Sequence, residues 1–223
     1  MAKTRPPLTR DRILDAAIRL ADDGGLDSVS MRKVGQALGV EAMSLYNHVA
    51  NKDDLLEGMV ERVIDEFELP DEGDWEQAVR RCAISAHDAL LRHRWSPTLV
   101  MAPGMGISAA RLRYMNWILG RLSEAGFSAE LTYRGYHALD SHIFGFTLWQ
   151  LGHANASRAF AARDDEPMEE IVERMLEQVR PSYPYLAEHG EMHMADGAPN
   201  GKQEFEFGLD LILDGLRRKQ QER

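Results

Sequence analysis

The feature that most restricts this chain is its punctuation. Apolar residues recur at helical spacing from end to end, broken by capping residues, glycines and nine prolines that fall mostly between the periodic segments. No series of alternating β-branched runs exists that could build a sheet. The pattern predicts an all-α fold without internal repeats or low-complexity tracts. At 223 residues the chain has room for one large or two small domains. No apolar run approaches the roughly 20 residues of a membrane-spanning helix. The basic N-terminus, MAKTRPPLTR, is followed by no apolar segment of the secretory type. One cysteine, Cys82, with eleven methionines, suits a reducing, cytoplasmic setting.

The expected elements follow from the breaks. A first helix starts behind the N-cap Thr9 and stops at Gly24-Gly25. A short second helix runs from Ser30 to Leu38, and Gly39-Val40 is a tight turn. A short third helix covers Glu41 to Val49. Asn51 restarts the chain into a fourth helix that ends before Pro70. Asp74 and Gln77 form a capping box for a helix reaching Arg94. Pro97 and Pro103 bracket a short element. Ser108 opens a helix that stops at Gly126, and Ser128 caps a long one from Ala129 to Phe160. Another opens at Asp164–Pro167 and reaches Arg180. Residues 181–201 read as a loop, and a last helix covers Lys202 to Lys219.

The formal net charge of −10 is unevenly spread. Residues 1–52 hold eight Lys/Arg and six Asp/Glu, whereas residues 53–223 hold 18 and 30. Only local charge decides whether a surface meets phosphate, so the basic end is the candidate nucleic-acid face. It contains SVSMRKVGQALGVEAMSLYNHVANKDDLL, Ser28 onward, whose spacing fits a helix-turn-helix. Val34, Leu38, Val40, Leu45 and Val49 form its expected seam. Gly35 lets the second helix approach the first, and Gly39 supplies the positive φ of the turn. Ala42, Met43, Ser44, Tyr46, Asn47 and His48 make a nearly uncharged outer face of a size to enter a major groove. Arg32, Lys33 and Lys52 flank it for phosphate. A plain three-helix packing motif would share this spacing. The charge split, the basic arm Lys3/Arg5/Arg10 and the cluster Tyr46/His48/Lys52 favour DNA.

The helix-1 pattern ILDAAIRLADDGGLDSVSMRKVGQALGV, followed by L-Y-x-H-V-x-x-K-x-x-L from Leu45 to Leu55, resembles the N-terminal domain of TetR-family transcriptional repressors. The one mild departure is Gly35, where that family usually has Ala. The resemblance places Ser30, Arg32, Ser44, Tyr46, Asn47, His48 and Lys52 where family members contact DNA. It implies a DNA-binding domain over residues 1–52 and a helical ligand-binding and dimerisation domain over 53–223.

A weaker resemblance covers Trp75 to Leu151, through Asp74-Trp75, ALLRHR (Ala89–Arg94), EAGFS (Glu124–Ser128) and HIFGFTL (His142–Leu148). It points to the tetracycline-repressor subgroup, and the chemistry departs from it. Val100 and Trp149 stand where that subgroup has metal-site residues. Cys82, Ile118 and Asp65 stand where it contacts tetracycline. Valine and tryptophan offer no lone pair to Mg²⁺. A metal-free, more apolar pocket is therefore expected, with Cys82, Ala86, Val100, Ile118, His137 and Trp149 as candidate lining. Each of these, taken alone, also reads as ordinary core.

No catalytic motif is present: S-x-x-K, G-x-S-x-G, P-loop and G-x-G-x-x-G patterns are all missing. No metal or cofactor is expected. His189 and His193 lie four apart, but H-G-E-M-H is not the zinc-hydrolase order. The stripe Phe205, Leu209, Ile212, Leu213 and Leu216, with Gly208, Gly215 and the small residues Gly145, Gly152 and Ala156, suggests a helix bundle between two subunits. The expected partners are double-stranded operator DNA, an apolar effector and a second copy of the chain, with no membrane. The expected function is a dimeric repressor on a palindromic operator, released by a small molecule. Two alternatives stay open: a regulator whose ligand promotes DNA binding, and a small-molecule carrier with a non-functional DNA head.

Overall fold

The structure is a computed structural model that describes residues 6–102, 108–161, 168–195 and 201–222. Every regular element among them is helical. The starts fall where side-chain oxygens can take up free amides, as a helix N-terminus requires. Thr9 Oγ1 accepts the Arg12 amide (3.3 Å) at the start of α1, Arg10–Gly24. Ser30 Oγ accepts the Lys33 amide (3.2 Å) at α2, Met31–Leu38. Asn51 Oδ1 accepts the Asp54 amide (2.9 Å) at α4, Lys52–Asp65. Asp74 accepts from Gln77 (2.9 Å) at α5, Trp75–Arg92. Ser108 caps α7, Ala109–Glu124, through the Arg111 amide (3.2 Å). Ser128 accepts the Leu131 amide (3.1 Å) at the start of α8, Ala129–Ala161.

The stops also follow local chemistry. Gly25, Gly39 and Gly126 have φ of 70°, 64° and 88°. At Gly126 the chain turns so that the Phe127 amide reaches the Leu122 carbonyl (3.2 Å), and the Phe127 ring packs edge-on against Trp75 at 4.9 Å. Between α1 and α2 lies a 3-10 turn, Leu26–Ser28. The short α6, Ser96–Val100, takes Pro97 into its first turn, where a missing amide costs little. Pro103 lies outside the described residues.

Two elements differ from the sequence expectation. The third helix is α-helical only over Ala42–Leu45 (α3) and continues to His48 as a turn. Its end tightens because Val49 must turn into the core: the His48 and Val49 amides share the Leu45 carbonyl (2.9 and 3.0 Å). The segment expected to be a loop over 181–201 contains a helix, α10, Pro184–Ala195. Pro184 starts it without losing a hydrogen bond, and Ala187 is buried. Gly190 meets the Leu176 side chain of α9, Met168–Val179, so the two helices close as a hairpin. The expected start at Asp164–Pro167 lies outside the described residues.

One hydrophobic cluster runs from Ile13 in α1 to Leu216 in α11, Gly201–Gln221. α4 packs on α1 at one side and on α5, α6 and α7 at the other. In the body, α5, α8 and α11 pack on one another. There Phe205 is fully buried between two imidazoles, 4.0 Å from His87 and 4.8 Å from His142. Gly208 permits this contact, since a Cβ would lie 2.6 Å from the His142 ring. The α11 stripe Phe205, Leu209, Leu213 and Leu216 is therefore internal to the chain, not a face left for a second subunit.

His87 is enclosed and hydrogen-bonded to Thr147 (Nδ1···Oγ1, 2.7 Å). Burial pushes its pKa down to about 4, aided by His142 and Lys202 and opposed by Asp88. The unfolded chain takes up that proton near pH 6.5. The stabilisation is thus complete above about pH 6.5 and erodes as pH falls toward 4, by at most about 1.4 kcal/mol per pH unit from this one group. Urea denaturation at pH 7 and pH 5 should show the wild type losing about 2 kcal/mol more than His87→Gln. Equal losses would mean that folding leaves the His87 pKa unshifted.

Candidate nucleic-acid interface

The candidate reading face of the head is built from the start of α2, the α3 turn and the start of α4. Gly39, in the left-handed region (φ 64°, ψ 39°), reverses the chain after α2. Gly35 faces that turn directly: a Cβ there would lie 2.9 Å from the Val40 carbonyl oxygen and 3.3 Å from Ala42 Cα. Val34, Leu45 and Val49 are buried, and Leu38 and Val40 pack against them half-buried. This seam fixes which side of α3 looks outward. Met43 is 75% and Tyr46 45% exposed, and Asn47 is exposed beside them.

None of the seven residues expected at DNA is buried. Arg32, Tyr46, Asn47 and Lys52 are exposed; Ser30, Ser44 and His48 are half-buried. Neither Arg32 nor Lys52 forms an ion pair among the described residues. Lys33 lies close to its own chain, with Nζ 3.5 Å from the Asp27 carbonyl. Lys3 and Arg5 of the basic arm lie outside the described residues. Arg10 does not belong to an arm. Its guanidinium grips Asp54 (2.6 and 3.0 Å) and also donates to the His48 carbonyl (3.2 Å). Asp54 in turn accepts the Ala50 amide (2.7 Å). The Arg10 and Ala50 hydrogen bonds hold the Asp54 carboxyl below the usual carboxylate range. This clamp ties the end of the α3 turn to α1 and α4. Its sequence signal was local: Asp54 occupies the third position after the Asn51 cap, where a capping-box acid would sit.

A second polar cluster joins head and body. His93, just after α5, places Nδ1 2.9 Å from Asp22 of α1 and Nε2 3.0 Å from Glu66 at the end of α4. Trp95 Nε1 donates to Asp22 (2.7 Å), and Arg92 donates to Glu66 (2.6 Å). Burial would raise the Glu66 pKa, but the hydrogen bonds from Arg92 and His93 outweigh it and hold the carboxyl low.

In the body the candidate lining divides. Cys82, Ala86 and Ile118 are fully buried and Val100 is half-buried in α6. Burial pushes the Cys82 thiol up to about 12, with Glu68 adding to it, so it is an inert core thiol. His137 and Trp149 do not join them. His137 is exposed against Tyr133 and Tyr136, and Trp149 is 48% exposed beside Phe146 and His153. Asp65 pairs with Arg113. Among the described residues no three His, Cys, Asp or Glu side chains are grouped as a metal site; the His193 side chain lies outside them.

Sequence reasoning does not reveal a polar quartet in which Tyr114 and Tyr136 are buried and Arg111 and Asp140 half-buried. Asp140 of α8 accepts from Arg111 Nη2 (2.9 Å), Tyr114 Oη (3.2 Å) and Tyr136 Oη (3.3 Å). The Arg111 guanidinium lies over the Phe144 ring at 4.8 Å. Burial, then the Asp140 charge, raises both tyrosine pKa values, so both phenols stay protonated donors. The residues sit at helical spacing on α7 and α8, but only the fold pairs the two helices.

A helix-turn-helix head with an open, partly basic reading face, set on a helical body, defines a DNA-binding regulator. Two family models agree and cover most of the chain. "Bacterial regulatory proteins, tetR family" matches residues 13–59, and "Tetracyclin repressor-like, C-terminal domain" matches residues 68–220. The chain belongs to the tetR family of bacterial transcriptional regulators, which bind DNA and are not enzymes. It is 33% identical over 218 residues to the HTH-type transcriptional repressor DrrR1 of Streptomyces coeruleorubidus, covering 95% of this chain and 78% of that one. It is similar to a possible TetR family regulator from Streptomyces coelicolor A3(2), with TM-score 0.73, 31% identity and coverage of 94% and 98%. It is also similar to the Streptomyces coelicolor protein ActR solved with actinorhodin, with TM-score 0.73, 26% identity and coverage of 95% and 96%.

The expected roles of Arg32 at a base edge and Lys52 at phosphate can be told apart by measurement. Arg32→Ala should cost about 1–3 kcal/mol on the preferred sequence and little on others, relaxing base preference. Lys52→Ala should weaken all sequences alike and reduce the salt slope by about 1. Anisotropy titrations on matched and scrambled duplexes check this; equal loss on every sequence for both variants would refute the division.

Proposed function

We propose that this protein is a cytoplasmic, homodimeric repressor that binds a palindromic operator and leaves it when a small molecule occupies the body. The observation that carries the reading is the exposed surface of Met43, Tyr46 and Asn47, flanked by unpaired Arg32 and Lys52 on a head with a rigid seam. In the reading, Tyr46 and Lys52 take phosphate and set register, while Arg32 reaches a guanine edge and Asn47 and His48 assist. Ser30 and Ser44 supply hydroxyls at the helix starts. Residues 1–52 form the DNA-binding domain and 53–223 the effector and dimer domain, with α4 shared structurally by both. Among the described residues no helix is long and apolar enough to cross a membrane.

Dimerisation is supported by the outer faces of α8 and α11. Tyr133, Trp149, Phe207 and Leu211 are all about half exposed or more. Gly145, Gly152 and Gly215 have open space where a side chain would begin, so a second helix can approach closely there. Two copies would present heads to major grooves about one DNA turn apart. Release is supported by the relatives: ActR is recorded in complex with actinorhodin, and the DrrR1 relative is a repressor. A ligand must favour the splayed form to act, and about 1.4 kcal/mol of coupling gives a tenfold change. Glu66 and His93 lie where such a change would cross from body to head. Val100 and Trp149 offer no metal ligand at the two positions where the tetracycline-repressor subgroup has them, so the effector is read as a metal-free one other than tetracycline.

The test is binding to the DNA upstream of the protein's own gene at low and higher salt. Tight, salt-sensitive binding to one palindrome, lost in Tyr46→Ala, is expected. Weak binding indifferent to sequence and to Tyr46→Ala and Lys52→Ala would favour a carrier with a non-functional head. Light scattering should give twice the 25.2 kDa chain. Phe207→Glu with Leu211→Glu should give a monomer whose operator affinity falls at least about tenfold. A wild-type monomer would remove the palindrome from the reading.

A further inference from the structure

We propose that His93 is a proton-operated latch between head and body, and that through it pH sets how firmly the candidate reading face is held and how tightly the operator is bound. The latch is a property of the joint; its effect on DNA rests on the repressor reading above. His93 directly follows α5 of the body, and its ring lies between the ends of two other helices. Nδ1 is 2.9 Å from Asp22 Oδ1 and 3.1 Å from Asp22 Oδ2, near the end of α1. Nε2 is 3.0 Å from Glu66 Oε1, at the end of α4. The side chain is only 12% exposed, so little water reaches it to replace either partner. An ionised carboxylate only accepts hydrogen bonds, so each contact needs a proton on the ring nitrogen that makes it. A neutral imidazole has one N–H and would turn its other nitrogen, a bare lone pair, toward a carboxylate. Both contacts are hydrogen bonds only when the ring is an imidazolium.

The neighbours make this a joint with two positions. Trp95 Nε1 donates to Asp22 (2.7 Å) and Arg92 donates to Glu66 (2.6 Å). Neither donor loses its proton near neutral pH. Against burial, the hydrogen bonds from Arg92 and His93 hold the Glu66 carboxyl low, so it remains an acceptor. The charged groups facing the ring are Asp22 from α1, Glu66 from α4 and, behind Glu66, Arg92 from α5. Loss of the ring proton breaks the bridge and leaves neither carboxylate without a donor. A lysine or arginine would keep its charge at any such pH, whereas histidine changes its charge between about pH 5 and 8. Arg10 and Asp54 tie the α3 turn to the other ends of the same two helices, so the latch reaches the face through α1 and α4.

The experiment uses NMR of the full chain, isotope-labelled at histidine and tryptophan, beside His93→Gln. The His93 ring signals are assigned through their contact with the Trp95 ring. In the wild type both ring nitrogens should carry protons at about pH 5.5, and one should have lost its proton by about pH 8.5. The Trp95 indole signal should move with the same midpoint, and in His93→Gln it should stay still. The ring titration is read on the wild type, so a poorly folded variant does not remove the test. Operator affinity is then read by anisotropy on the DNA upstream of the protein's own gene. His93→Gln shares every other histidine with the wild type, His48 of the head included. Relative to that variant, wild-type affinity should fall at least about fivefold between the two pH values. A ring with one proton at the lower pH, or with two at both, overturns the latch. So does a Trp95 signal that titrates equally in His93→Gln. A latch that titrates while both proteins change affinity alike overturns its control of DNA. A latch that titrates in a chain without operator binding sinks the repressor reading, and the control of DNA with it, and leaves the joint standing.

Discussion

The close packing of α1 on α4 is the constraint from which the rest of the molecule takes its geometry. Gly58 makes it possible: a Cβ there would lie 2.8 Å from a Leu14 methyl and 3.1 Å from the Arg10 guanidinium. Ile13, Leu14 and Ala17 of α1 and Leu55, Met59 and Val63 of α4 are buried in the same cluster. Burial of side chains of this kind contributes about 1.5–3 kcal/mol each, before entropy is counted. Polar clamps close both ends of this pair. Arg10 and Asp54 hold the end next to the α3 turn, and Asp22, His93 and Glu66 hold the end next to the body. Ion pairs this accessible contribute about 0–1 kcal/mol each, so they set direction more than they add stability. A change in the body that moved α4 would then carry the reading face with it, because α3 has few helical hydrogen bonds of its own.

The short α3 makes this dependence plain. One helical turn cannot hold itself in water. It keeps its shape because Leu45 and Val49 are buried and because Arg10 takes the His48 carbonyl. The outward residues are free to meet DNA because none of them is needed for this anchoring. Arg10 reads in the sequence as part of a basic arm, yet its guanidinium is bound to Asp54.

Local chemistry was legible in the chain, and distant pairing was not. Thr9, Ser30, Asn51, Asp74, Ser108 and Ser128 could each be read as caps because capping acts within three residues. Gly39 and Gly126 could be read as stops for the same reason. The helix-turn-helix was legible because it is itself a local motif. The bonds from Arg10 to Asp54, Asp22 to His93 and Arg111 to Asp140 span 44, 71 and 29 residues, and no spacing rule reaches them. Periodicity also could not distinguish the two apolar sides of the body helices. His137 and Trp149 were read inward but lie outside, whereas the α11 stripe read as a subunit face is packed within the chain. The helix over Pro184–Ala195 was hidden because proline and glycine signal breaks, while here one starts the helix and the other lets it touch α9.

The body keeps its buried polar groups at a cost. Exchanging a buried ion pair for well-packed apolar residues is often neutral or stabilising by about 1–4 kcal/mol, whereas removing one member alone costs about 3–5 kcal/mol. The Arg111–Asp140 pair is half-buried, and His87 Nε2 is enclosed without a partner among the described residues. Around these groups α7, α8 and α11 supply a closed apolar packing: Ile118, Leu122, Leu139, Ile143, Leu209 and Leu213 are all at most 1% exposed. The same chain therefore uses two kinds of interior. The α1–α4 junction is apolar with polar clamps at its ends, which suits holding an angle. The α7–α8 layer is apolar with a polar centre, in which Arg111 and Tyr114 of one helix bind Asp140 of the other, which suits fixing how the two helices pair.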